Sequence, residues 1–301
     1  MRVMTMESRP GYVERESVFS FAWRRRAWNR GMEAVMYLTA GAVALLLAGL
    51  IGFICWRGVP FLTMELLTTA SSYLRGTVGI LPNLLNTLYI IGVALGVALP
   101  LGVGAAVYLT EYAEQPRLIS VIELAAETLA GIPSIIFGLV GMLLFTQLFG
   151  LKQGVLAGGL TLVMLILPIL LRTTQESLRQ VPMAYREGAM ALGAGRWRTI
   201  RTVVLPNAKA GIIKGCILAM GRVVGESAAL LFTAGFGLKL NDFFTALESS
   251  SATLTVALYI YASEQGEIDV AFAIAVVLLA VTFVLNGAVA LLGEFSGGKT
   301  E

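Results

Sequence analysis

The sequence predicts an all-α polytopic membrane protein with six transmembrane helices, and three observations carry that prediction. Of 301 residues, 57% are hydrophobic and 14% charged, with a mean hydropathy of +0.80, against about 25% charged residues in soluble domains. Six long apolar runs are present, and a membrane helix needs about 20 such residues. Lysine and arginine are distributed very unevenly between the segments that join those runs. The net charge of +3 says little by itself, because in a membrane protein the placement of the basic residues holds the information.

Residues 1–33 read as a basic cytoplasmic tail. Phe19, Phe21, Trp23 and Trp28, interleaved with Arg24, Arg25 and Arg26, suit an interfacial helix lying on membrane lipid. The apolar run that follows, Ala34 to Trp56, exceeds the 7 to 15 residues of a signal peptide and is the first span. The second is Leu84 to Leu109, where Gly92, Gly96, Gly102 and Gly104 would let helices approach closely. The third covers Thr128 to Leu151 and begins nearer Ile119, since Glu123 and Glu127 lie on one helix face at its interfacial end. The fourth is Val155 to Leu171. The fifth, Ile212 to Phe236, contains charges, and the sixth is Val270 to Leu292. Pro82, Pro100, Pro133 and Pro168 lie in or beside spans and predict kinks or breaks, which neighbouring helices can satisfy. The six spans make one domain over 34–293, with a long polar connection over 173–211 and a short tail over 294–301.

The two cysteines, Cys55 and Cys216, lie in apolar runs, and the chain has no histidine. They pack as small hydrophobes, with no metal-ligand spacing and no cofactor implied. Gly293 to Thr300, GEFSGGKT, satisfies the letter pattern of a phosphate-binding P-loop. That motif works between a strand and a helix, whereas here it follows a span, so the match is accidental. Nothing in the pattern suggests nucleic acid.

Counted on alternate sides of the spans, 17 of the 22 lysines and arginines fall on one side: seven in the N-terminal tail, Arg117, eight from Arg172 to Lys214, and Lys299. The other side holds Arg57, Arg75, Lys152 and Lys239, and Arg222 lies within a span. Excess positive charge marks the cytoplasmic side. Both termini are therefore expected inside a cytoplasmic membrane, with Gly237 to Asp269 as an acidic external loop.

Residues 186–206, REGAMALGAGRWRTIRTVVLP, form a charged, glycine-punctuated segment between apolar runs. Tyr185, Ala189 and Leu192 recur at helical spacing, so a short helix would present an apolar face flanked by Arg186 and Glu187. Gly193 and Gly195 would end it. On spacing alone, a docking helix and a solvated loop are equal alternatives. Glu187, Gly188, Ala189, Gly193, Leu205 and Pro206 fall at the positions of the E-A-A signature of bacterial ABC importer membrane subunits, with Gly188 and Val203 replacing its Ala and Ile. Three further stretches narrow the resemblance. Leu129 to Leu139, LAGIPSIIFGL, resembles the third-helix motif of PstA-type and sister PstC-type phosphate permeases, and Arg172 to Pro182, RTTQESLRQVP, is similar to the PstA-type segment that leads into the E-A-A loop. Gly225 to Ala234, GESAALLFTA, resembles G-E-T-A-P-L-L-F-T-A, with Ser227 for Thr and Ala229 for Pro.

The chain thus resembles the PstA-type subunits of phosphate ABC importers, within the binding-protein-dependent transport system inner membrane component family. That resemblance implies the type I importer permease fold, with the E-A-A segment as a cytoplasmic coupling helix docked in a separate ATPase. It implies a PstB-like ATPase dimer, a PstC-like second permease and a phosphate-binding protein as partners, and phosphate as cargo. ATP would be hydrolysed on another chain. Other oxyanions such as sulfate or molybdate are the alternative cargo, and an ion-gradient-driven secondary transporter is the alternative class.

Arg222 lies eight residues beyond Lys214, about 12 Å into the fifth span at 1.5 Å per residue. Intramembrane charges face a partner or an aqueous path. Glu226, four residues on, is expected on the same helix face within pairing reach. The pair either holds helices together, or lets Arg222 attract an anion with Glu226 orienting its guanidinium. Arg172, at the inner end of the fourth span, would be a second cation along that route.

Overall fold

The computed structural model describes residues 13–72 and 77–297. The chain divides into two units, residues 1–54 and 55–301. Helix α1 (Val13–Gly58) is unbroken, so the helical residues expected as a separate interfacial element continue the first span instead. In the first unit α1 exposes a lipid-compatible surface that includes Tyr37, Leu38, Leu45 and Leu46.

The second unit opens with the short helix α2 (Met64–Thr68) and an antiparallel hairpin of β1 (Ala70–Ser72) and β2 (Thr77–Ile80), pairing Ala70 with Ile80. Helix α3 (Leu81–Val107) starts on Pro82, which suits a first turn because its missing N–H would be unpaired there, and continues through a π-helical turn, Tyr108–Tyr112. The third span is not one straight helix. Helices α4 (Pro116–Ala130) and α5 (Ser134–Gly141), the latter extended to Leu148, are bent by 103°. Pro133 cannot donate to the helix ladder and disfavours helical backbone at Ile132, so the helix ends at Ala130.

Helix α6 (Val155–Arg179) is the hub, with 67% of its apolar window buried. It packs on α3 and on α9 (Leu205–Val224), and α9 packs on α13 (Ile268–Gly297). The central core includes Ile90, Ala94, Leu162, Ile166, Val223 and Leu230. Between α6 and α9 lie α7 (Met183–Ala191) and α8 (Arg196–Thr199), so the polar connection is shorter than the expected 173–211. A π-helical turn, Ile200–Val204, joins α8 to α9. Pro206, early in α9, has no N–H to give, which favours that loosened ladder.

The fifth span also differs from expectation. The long helical stretch runs from Arg196 to Val224, breaks at Gly225 to Ser227, and resumes as the short α10 (Ala228–Thr233). The presumed external loop is only partly external. After α11 (Phe243–Leu247), capped by Asp242, the chain turns inward at Ser251 to Thr255 and enters α12 (Leu254–Tyr259) fully buried. Bonds from the Thr245 side chain and amide hold the exposed Asp242 carboxyl below its usual pKa. The accidental P-loop match begins inside α13, which continues to Gly297; its last residues lie outside the described ones.

Arg57–Asp269 and Lys152–Glu248 join residues assigned to the outer side, while Arg172, Arg179, Arg186 and Arg196 pair with carboxylates assigned to the inner side.

Of the four glycines singled out in the second span, Gly102 sits at a close approach, where a Cβ would lie 3.0 Å from Leu170 Cβ of α6, and the other three do not. A Cβ at Gly92, Gly96 or Gly104 would meet nothing within 4 Å, whereas one at Gly211 or Gly215 would collide with Ser177 or Thr173 across the α6–α9 contact. Gly215→Ala should therefore destabilise the bundle by about 1–3 kcal/mol, the range for overpacking. A lowered Tm of the purified protein in detergent, with Gly96→Ala unchanged, is the expected result.

Candidate coupling and substrate-pathway site

Helix α7 ends in a Schellman arrangement. Gly193 N–H donates to Met190 O at 2.9 Å and Ala194 N–H to Ala189 O at 3.1 Å, with Gly193 at φ +82°. That left-handed backbone favours glycine and closes the last carbonyls of the helix. Glu187 and Gly188 are exposed, Ala189 is half-buried and Leu192 is 90% exposed. Met183, Tyr185, Met190 and Trp197 add exposed apolar surface on and beside α7. Two cavities flank this helix: one of about 490 Å³ lined by Thr110, Met183, Met190 and Arg196, and one of about 600 Å³ lined by Tyr185, Asn207 and Lys214. Leu205 is half-buried against the inner core of Leu178, Val181, Ile200 and Val204, and Pro206 is exposed.

Arg186, expected only to flank the helix, is its anchor. Its side chain is 12% exposed and that of Glu111 is 10% exposed. Nε and Nη2 donate to the Glu111 carboxylate at 3.2 and 2.8 Å, while Nη1 and Nη2 donate to Val181 O and Leu178 O at 2.6 and 2.8 Å. Removing one member of such a buried pair costs about 3–5 kcal/mol. Nothing in the sequence pairs residues 75 positions apart.

At the inner end of α6, Arg172 pairs with Glu176 at 3.3 Å and Glu127 at 3.7 Å, and Arg179 with Glu123. These half-exposed pairs form a charged belt between α4 and α6. Arg172 is thus balanced by two carboxylates.

Arg222 and Glu226 do not pair as expected. Helix α9 stops at Val224, so four-residue spacing no longer puts them on one face. Arg222 is exposed in the last turn of α9, where the negative end of the helix dipole favours a cation. Among the described residues it has no ion-pair partner. Glu226 lies in the break, 6% exposed, and its Oε1 accepts from Ala229 N–H at 3.1 Å, capping α10.

A buried polar network missed by sequence reasoning backs this break. Thr255 Oγ1 donates to Glu226 O at 2.9 Å. Asn83 and Asn86 both donate to Ala252 O, and Leu254 N–H donates to Thr87 Oγ1. Asn83, Asn86 and Thr87 share one face of α3 by their spacing, which was the available signal.

A model of the binding-protein-dependent transport system inner membrane component matches residues 98–294. The chain belongs to that family. It is 41% identical over 198 residues to the probable ABC transporter permease protein YqgI of Bacillus subtilis, covering 66% of this chain and 67% of the relative. It is 35% identical to the phosphate transport system permease protein PstA of Mycobacterium leprae, covering 78% of both, and 32% identical to PstA of Haemophilus influenzae, covering 81% and 84%. Among solved structures, a bacterial alginate ABC transporter chain superposes with a TM-score of 0.66 at 13% identity, over 93% of this chain and 99% of that one. The chain accordingly has the ABC importer permease fold, as an inner-membrane transport component. Family membership sets aside the secondary-transporter reading.

Any residue but glycine at position 193 must hold a left-handed backbone at about 1–2 kcal/mol. Gly193→Ala should therefore weaken amide protection over residues 189–194 by roughly tenfold, since 1.4 kcal/mol is a factor of ten. Hydrogen exchange measured in detergent reads this, and unchanged protection would contradict the cap assignment.

Proposed function

We propose that this chain is the PstA-type permease subunit of an ATP-driven importer that carries inorganic phosphate across the bacterial cytoplasmic membrane. The observation that carries the reading is Arg222, an exposed cation with no ion-pair partner among the described residues, at the end of a helix broken within the fifth span. The PstA relatives supply the choice of phosphate. A broken helix at membrane depth is tolerated where protein or a water-filled path satisfies its backbone. An unpaired guanidinium beside such a break attracts an anion, and its planar fork matches phosphate oxygens. Glu226, occupied by the α10 amide, shapes this position without neutralising it. Arg172, within its charged belt, contributes to the inner end of the route.

The exposed apolar surface around α7, with Glu187 and Gly188 outward, suits docking into a cleft of a PstB-like ATPase dimer. Gly193 fixes the end of that helix, and Leu205 and Pro206 connect it to α9. The ATPase lies on separate chains, a PstC-like permease completes the pathway, and a phosphate-binding protein delivers the cargo from outside. Both termini lie in the cytoplasm.

Two substitutions test the reading in proteoliposomes holding the four-component complex. Arg222→Lys keeps the charge and loses the fork, so phosphate uptake should fall about tenfold or more with assembly retained. Glu226→Gln keeps an oxygen for the Ala229 amide and should assemble normally. Near-normal uptake by assembled Arg222→Gln would overturn the anion role, and uptake competed better by sulfate or molybdate than by phosphate would replace the cargo. Separately, Gly193→Trp should lower co-purification of the ATPase and abolish uptake while the chain remains in the membrane; wild-type uptake would overturn the docking assignment.

A further inference from the structure

Adjacent residues on α7 face opposite directions. Glu187 is exposed, while the Arg186 side chain is 12% exposed and all three of its nitrogens donate, Nε and Nη2 to Glu111, Nη2 also to Leu178 O and Nη1 to Val181 O. Successive helix positions differ by about 100°, so a single helix can hold a partner with one residue and the membrane bundle with the next. The buried end of that arrangement joins three elements. Glu111 lies in the π-helical turn that continues α3, Leu178 is in the last turns of α6, and Val181 follows its end. The Val181 carbonyl follows a helix end, where acceptors lack intrahelical donors, and Arg186 supplies one; the Leu178 carbonyl, which accepts from Val181 N–H at 3.3 Å, takes its second bond from Arg186. Helix α7 otherwise packs on α8 and the Ile200–Val204 turn and exposes most of its apolar side chains.

We propose that Arg186 is a positioning residue that ties the coupling helix rigidly to the inner ends of α3 and α6, so that movement of the ATPase reaches those helices through one buried guanidinium. An apolar anchor of the same volume would hold α7 near the bundle but let it slide, because dispersion contacts have no preferred direction. A fork bonded to a carboxylate and two carbonyls has one geometry. The buried charge is therefore matched to transmission, since apolar replacements of buried ion pairs are frequently as stable or more so. Helices α3 and α6 are packed along their length, so displacing their joined inner ends tilts both together.

The inference rests on the ATP-driven importer reading, and its test separates the two. In the assembled complex, on a background with Cys55 and Cys216 replaced by alanine, spin labels at Ala191→Cys and Leu101→Cys report the spacing between α7 and α3. With Arg186 present, that spacing should stay the same between the nucleotide-free and the ATP–vanadate-trapped states. It should broaden or shift in Arg186→Lys and in the apolar double variant Arg186→Met with Glu111→Leu. Those variants should still hydrolyse ATP, with inorganic phosphate taken up per ATP falling at least tenfold. A spacing that changes between states with Arg186 present would overturn the tie, whatever the cargo. So would an unchanged phosphate-to-ATP ratio in either variant, or failure of both variants to assemble, which would make the contact purely structural. Absence of phosphate uptake with Arg186 present bears on the importer reading alone, and the spacing measurement decides the tie regardless.

Discussion

Backbone satisfaction is the constraint on which this structure depends. Inside a bilayer no water pairs with a freed N–H or C=O, and each orphan costs several kcal/mol. The chain nevertheless breaks two spans, at Gly131 to Pro133 and at Gly225 to Ser227. The segments after those breaks, α5 and α10, pack on each other, and Gly138 leaves the room for Ala229 to approach. The Glu226 carbonyl released by the second break receives the Thr255 hydroxyl. The inward turn at Ser251 to Thr255 creates its own demand, met by Asn83, Asn86 and Thr87 from α3 and by backbone bonds from Ser251 to Ala234 and Ala252 to Gly237. Each irregularity is thus completed by another, and a change in one propagates to its neighbour.

The inner end follows a different logic, because water is available there. Its exposed pairs, Arg172 with Glu127 and Arg179 with Glu123, are individually worth little, and the contact of α4 with α6 rests more on Ile119, Ile122 and Ala126 packed near Leu171 and Leu178. The Arg186–Glu111 contact is the exception, being nearly buried, with both Nε and Nη2 on the carboxylate. Arg186 fastens one side of α7, while the surface around it stays apolar and exposed.

Much of this was legible in the sequence, for reasons particular residues make clear. Span number follows from apolar run length, and the six runs correspond to five long apolar helices and one bent pair. Gly193 was recognisable as a helix terminator because left-handed backbone leaves few alternatives to glycine. The Arg222–Glu226 pairing was misread because spacing of four residues has meaning only within a continuous helix, and Gly225 interrupts it. The inward turn at 251–255 was hidden by its acidic surroundings, and its partners lie some 170 positions earlier in the chain. Contacts of that sequence separation leave no periodic trace.

The break in the fifth span also gives physical meaning to one departure from the resembled motif. Where G-E-T-A-P-L-L-F-T-A has proline, this chain has Ala229, and Ala229 N–H is the donor that the Glu226 carboxylate accepts. Proline has no such hydrogen and would fit early in α10 just as well, since a first-turn N–H is unpaired within the helix. With proline, the buried carboxylate would need another partner, and a cation is the strongest available. Alanine lets the backbone hold Glu226 instead, leaving Arg222 exposed one turn earlier with its charge undiminished. A single backbone hydrogen at position 229 therefore lets the break hold its buried carboxylate with its own amide.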